Sequence, residues 1–222
     1  MKKSILVVTV LLVLSLAFTA SANTLTVYSS VDEENARALL NAFTKSTGIE
    51  VRFVFLSSGP ALARMEAEKG NPQADVWMGA PSENHVLAKE RGLTQPYRSP
   101  NTAALDPKFY DEEGYWTSFY MNPMGVAVHT GWAQRAGIEM PESWYDLLKP
   151  EFKGEIQMPT PQSSGTAYNL LASLVLAWGE DEAFAYMKEL NKNIQSYTQS
   201  GTAPSQAVAI GQAGVAIQFT PD

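Results

Sequence analysis

The chain has 222 residues, no cysteine, and 16 Lys+Arg against 23 Asp+Glu, for a formal charge of −7 at neutral pH. That balance excludes a nucleic-acid binder, because no basic stripe or block is available to release phosphate counterions. The missing cysteines exclude both a disulfide framework and a lipid-modified cysteine anchor.

The opening segment, residues 1–22, begins with Lys2 and Lys3, continues through the apolar run Ile5 to Phe18 and closes on Ala20-Ser21-Ala22. Charged start, apolar centre and small-x-small end are the grammar of a cleaved secretory signal. The run falls short of the ~20 residues that span a bilayer, which disfavours the competing reading as an uncleaved anchor. An unanchored exported protein is most useful where an outer membrane retains it, so the expected location is the periplasm. Loss of Lys2 and Lys3 leaves the mature chain more acidic still. Any anion site must therefore work through local dipoles.

From there, strand and helix alternate. Thr24 to Ser30 reads as a strand and Asp32 to Thr47 as a helix, with Ala36, Leu39, Leu40 and Phe43 on one face and Gly48 as its stop. Ile49 to Leu56 is a second strand, and Pro60 suits the first turn of the next helix. Ala74 to Gly79 is a third strand, followed by a helix over Ser82 to Arg91. Three βα units in succession predict a mostly parallel α/β sheet. Residues 95–114 read as loop. Tyr115 to His129 reads as one long extended stretch, broken at Asn122-Pro123 and able to cross between lobes. A second α/β region follows: helix near Glu142 to Leu148, strand at Gly154 to Met158, helices over Thr166 to Trp178 and Asp181 to Lys192, a segment Ile194 to Tyr197, helix Ala203 to Gln212 and strand Gly214 to Phe219. No helix follows that last strand in the chain, which reads as a truncated second region.

One junction recurs. Ser163-Ser164-Gly165-Thr166 joins a strand to a helix, where about four backbone N–H groups lack intrahelical partners and roughly half a positive charge accumulates. Small hydroxyl residues there are preferred caps whether or not anything binds. The same order of strand, hydroxyls and helix returns at Ser29-Ser30, Ser57-Ser58-Gly59 and Ser200-Gly201-Thr202, and four such turns predict a shared anion-binding cleft. Other chemistry is sparse. His85 and His129 have no partner at metal-ligand spacing, so no metal site or cofactor is expected. A serine hydrolase using Ser163 or Ser164 with His129 has no nucleophile elbow behind it. A structural or adhesive role is the third class. Trp77, Tyr28, Trp116 and Tyr168 can stack on a ligand, although aromatic residues in such positions more often build core.

Ala74-Asp75-Val76-Trp77, the run Trp144 to Gly154 and the Ser164-Gly165-Thr166 turn, behind a signal peptide, resemble the ferric-iron-type branch of bacterial extracellular solute-binding proteins. That resemblance implies a two-lobed periplasmic binding protein of type II with crossing hinge strands, here with lobes over 23–121 and 122–222 and the second incomplete. It implies a monomer that delivers a solute to the membrane permease of an ABC importer, with no enzymatic activity. It places the four turns, with Asp222, at the cleft. Iron-binding members carry adjacent tyrosines after the strand that ends here at Phe219-Thr220-Pro221-Asp222, and a histidine or similar ligand where this chain has Ser29-Ser30. The pattern is closer to relatives that bind phosphorylated or phosphonate solutes, with ferric iron as the alternative.

Overall fold

The computed structural model describes residues 24–220. The expected signal peptide and Asp222 lie outside the described residues. Strand β1 (Leu25–Ser29) leads to helix α1 (Glu33–Thr47), β2 (Val51–Phe55), α2 (Ser58–Ala67), β3 (Val76–Met78) and α3 (Ser82–Glu90). The strands are parallel in the order β2-β1-β3, with Val27 level with Phe53 on one side and Val76 on the other. Parallel strands need crossover connections, and α1 and α2 supply the two of this sheet.

Helix α1 shows how local chemistry sets the ends. The Asp32 carboxylate accepts the Asn35 N–H at 3.0 Å, satisfying one orphan donor. Gly48 takes a φ of 74°, the left-handed cap that a Cβ disfavours. Ala36 and Leu40 turn inward onto Val27 and Met78. Leu39, expected beside them, stays 47% exposed.

Residues 95–114 hold two short 3-10 turns, Pro100–Ala104 and Pro107–Phe109, opened by the Ser99 and Asp106 side chains. The expected extended stretch over 115–129 is corrected: only β4 (Met124–Val128) pairs as a strand, and before it stands one isolated bridge from Thr117 to Tyr110. Pro123 has no N–H to give a ladder. This segment nevertheless carries the chain from the first sheet to the second.

Past β4 comes an unexpected helix, α4 (Thr130–Ala136), capped by the His129 ring, whose Nδ1 accepts the Trp132 N–H, and stopped by left-handed Gly137. The helix expected near Glu142 is a 3-10 turn, Trp144–Leu148, opened by a reciprocal Ser143–Asp146 capping box. Pro150 forces Lys149 into an extended conformation and prevents elongation. Next are β5 (Ile156–Pro159), α5 (Gly165–Trp178), α6 (Glu180–Leu190), β6 (Ile194–Thr198), α7 (Ala203–Ala209) and β7 (Val215–Phe219). The second sheet runs β4-β7-β5-β6, antiparallel only between β4 and β7. Its core is Leu147, Phe152, Ile156, Met158, Leu170 and Ile217 with their neighbours. Helix α7 ends earlier than expected because Gly211, at φ 75°, turns the chain and lets the Gln212 N–H bond back to Ala207. Among the described residues no helix is long and apolar enough to cross a membrane.

Candidate functional site

In both sheets the turns that leave the carboxyl ends of parallel strands meet at one cavity of about 560 Å³, the place where open α/β sheets present ligand sites. Ser30 follows β1, Ser57 and Ser58 follow β2, and Ala80 and Pro81 follow β3. From the second sheet come Ser164, Gly165 and Thr166 after β5, and Ser200, Gly201 and Thr202 after β6. All four turns singled out from the sequence therefore reach the same wall.

Their hydroxyls are not doing the same thing. Ser57, Ser164 and Thr202 occupy helix N-cap positions, yet none makes a side-chain capping bond. Ser58, Ser164 and Thr166 are 5%, 3% and 8% exposed, and among the described residues no protein group accepts or donates to their hydroxyls. All three residues line the cavity, with the Ser58 Oγ beside Gly165 and the Ser164 and Thr166 hydroxyls beside Gly201. The first bond into α5 is from the Tyr168 N–H to the Ser164 carbonyl, so the N–H groups of Gly165, Thr166 and Ala167 have no intrahelical acceptor. Among the described residues the wall contains no Lys, Arg or His. What it offers an anion is a concentration of neutral donors at the positive end of a fourteen-residue helix.

Ser29, Gly59 and Ser163 do not line the cavity. Ser29 is fully buried and its Oγ donates to the Val31 carbonyl at 3.2 Å. Ser163 Oγ donates to Gln199 O at 3.1 Å, and its own carbonyl accepts the Gly59 N–H at 2.9 Å. These residues hold turns in place. Ser30 does both: it lines the cavity, but its Oγ accepts Trp77 Nε1–H at 3.0 Å and donates to Leu56 O at 2.8 Å. Tyr28 is core, bonded to Glu68, and Tyr168 is off the wall. His129 is also off the wall, with Nδ1 committed to its helix, so it stands beside none of the wall serines.

Several wall residues carried no sequence signal. Helix α1 contributes Asp32, Asn35, Leu39 and Ala42, and Phe55, Phe119, Tyr120, Asn122 and Phe219 close other sides. The exposure of Leu39 is explained by this position. Asp32 is tied to Asn35 through both the backbone N–H and Nδ2, so its carboxylate is already engaged. Phe119 and Tyr120 meet edge-on at 4.7 Å, and together with Phe219 they separate the cavity from a wider groove of about 1090 Å³ along β3 that includes Trp77, His85 and Trp116.

An α/β chain that turns the helix-opening loops of two sheets onto one donor-rich cavity has the architecture of a solute-binding protein. The chain belongs to the bacterial extracellular solute-binding protein family, ferric-iron/AfuA type: residues 71–221 match the family described as "Bacterial extracellular solute-binding protein". It is thus a member of a solute-binding, non-enzymatic family. An uncharacterized protein of Haemophilus influenzae is 40% identical over 229 residues, covering 100% of this chain and 66% of that protein. The periplasmic binding protein AfuA from Actinobacillus pleuropneumoniae, solved with exogenous fructose-6-phosphate bound, is 40% identical with a TM-score of 0.85, over 88% of this chain and 63% of that one. A putative 2-aminoethylphosphonate-binding periplasmic protein of Salmonella typhimurium is 31% identical over 154 residues, 69% of this chain and 43% of that protein. The chain spans roughly half to two thirds of the length of the relatives it matches.

Proposed function

We propose that this chain forms the solute-capturing cleft of a periplasmic binding protein serving an ABC importer, with lobes over 23–121 and 122–222, and that its solute is a small oxyanion: a phosphorylated sugar or a phosphonate. The observation that carries this is the set of uncommitted donors at one point, the Ser58, Ser164 and Thr166 hydroxyls and the α5 N-terminal N–H groups. A phosphoryl group accepts such bonds from several directions. Each is worth about 1.5–3 kcal/mol to a charged partner, so four to six offset desolvation and leave the roughly 8 kcal/mol of micromolar affinity. The likeness to a fructose-6-phosphate-bound structure and to a phosphonate-binding relative supports the same class.

Ferric iron wants the opposite surroundings: several ionised oxygen or nitrogen ligands converging on a hard trication. Serine hydroxyls do not ionise near neutral pH, and the Asp32 carboxylate on this wall is already bonded to Asn35. The test is calorimetric titration of the chain with fructose-6-phosphate, 2-aminoethylphosphonate and ferric citrate, with visible absorbance recorded in parallel. Heat from a phosphorylated or phosphonate solute is expected. A tyrosinate-to-iron band without heat from either would overturn the assignment in favour of iron.

A further inference from the structure

Ala80 is the non-glycine residue with positive φ among the described residues, at 68°, directly after Gly79 at 82°. An alanine has no polar side chain to stabilise the left-handed conformation locally, and a residue before proline is normally pushed to extended angles. Something beyond the turn itself must hold Gly79-Ala80-Pro81, and strain of this kind gathers at functional walls.

Two contacts hold it. Gly79 backbone lies so close to Ser30 and Val31 that a Cβ would meet Val31 N at 2.8 Å. On the other side, the His85 ring in α3 hydrogen-bonds through Nε2 to the Gly79 carbonyl; a carbonyl only accepts, so Nε2 carries the proton. The same ring packs on Trp77 at 4.4 Å and 42°, and Trp77 Nε1–H reaches Ser30, whose Oγ bonds Leu56 O. His85 is thus connected to the carboxyl ends of all three strands of the first sheet. The turn it holds ends in Pro81, whose ring lies with Ser58 Oγ where a Cβ on Gly165 would sit.

We propose that His85 is a positioning residue for the anion site: by holding the Gly79 carbonyl while packed against Trp77, it fixes the left-handed turn that seats Pro81 against Gly165 and so sets the separation of the Ser58 and Gly165 donors. This rests on the solute-binding role proposed above. Any ligand that bridges those donors feels that separation, because hydrogen bonds weaken steeply away from their preferred distance and angle.

Three variants of the full chain test this. His85→Phe keeps a ring on Trp77 but cannot donate; His85→Gln can donate but loses the ring contact; His85→Phe with Ala80→Gly relieves the left-handed requirement. Fructose-6-phosphate affinity is expected to fall about tenfold or more in His85→Phe, to stay within about threefold in His85→Gln, and to recover partly in the double variant. Cooperative melts establish that each is folded. The Gly165 amide resonance, recorded without ligand, should move in His85→Phe and stay in His85→Gln. An unmoved Gly165 amide in His85→Phe, or equal affinity losses in the Phe and Gln variants, overturns the proposal. If wild type binds none of the solutes while the amide still moves, the solute assignment fails and the positioning role stands.

Discussion

The Gly59 N–H donates to the Ser163 carbonyl at 2.9 Å, a backbone bond between the turn after β2 in one sheet and the turn after β5 in the other. The approach is close enough that a Cβ on Gly59 would lie 2.8 Å from Gln162 O and 3.0 Å from Ser163 Cα. Both atoms belong to backbone and cannot swing aside. Gly59→Val should therefore separate the two turns, lowering solute affinity by about tenfold or more, with a loss of about 1–3 kcal/mol in stability from the overpacking. Calorimetry beside a thermal melt reads both, and unchanged affinity would show that this bond does not register the cleft.

Gly165 opens α5 at the cavity wall, where an added side-chain carbon would overlap Pro81 and Ser58 Oγ. Even Gly165→Ala should thus impair binding, while α5, which gains a better helix former worth up to about 1 kcal/mol, keeps its helicity. Wild-type affinity in Gly165→Ala would refute the close approach.

Ser30 and Ser58 separate binding from stability. Ser58→Ala removes a hydroxyl with no hydrogen-bond partner among the described residues, so it should cost about 1.5–3 kcal/mol of solute binding and change stability by less than about 0.5 kcal/mol. Ser30→Ala leaves Trp77 Nε1–H without its acceptor and should cost about 1–3 kcal/mol of stability. Denaturant melts paired with titrations distinguish the two, and matching profiles for both variants would contradict this division.

Stability should also depend on His85 below neutral pH. Burial pushes its pKa below the ordinary value, against the smaller opposing effect of its bond to Gly79 O. Below about pH 6.5 the unfolded chain takes up a proton that the native state still refuses, so stability falls as pH drops from there toward the folded pKa and flattens beneath it. Melts from pH 7.5 to 4.5 should show a component of this slope that His85→Gln lacks. The same slope in the variant would assign it to other groups.

Ala80→Gly alone should raise stability by about 0.5–1 kcal/mol, since left-handed geometry costs an alanine about 1–2 kcal/mol and glycine returns part of that as unfolded-state entropy. A lower melting temperature would mean that the turn is not strained.

The sequence by itself determined the features that depend on a few neighbouring residues. Gly48 stops α1 because a left-handed residue without a Cβ suits that place, whereas α4, with Gly137 as its stop, has seven residues, too few to show a period. The four serine-bearing turns were legible for the same local reason, since a strand followed by small hydroxyls and a helix reads as an N-terminus wherever it lies. Tertiary structure alone decided which serines line the cavity. Ser29-Ser30 and Ser57-Ser58 look alike along the chain, yet the Trp77 indole, 47 residues away, engages Ser30 while no described residue hydrogen-bonds the Ser58 hydroxyl. It also decided that Leu39, Phe55, Phe119 and Phe219 form cleft wall, because an apolar residue shows its period in sequence but not which surface lies opposite. Ala80 is the sharpest case: its left-handed φ goes with the packing of the preceding Gly79 against Val31 and with the bond from His85 to the Gly79 carbonyl, and a local propensity for alanine before proline points the other way.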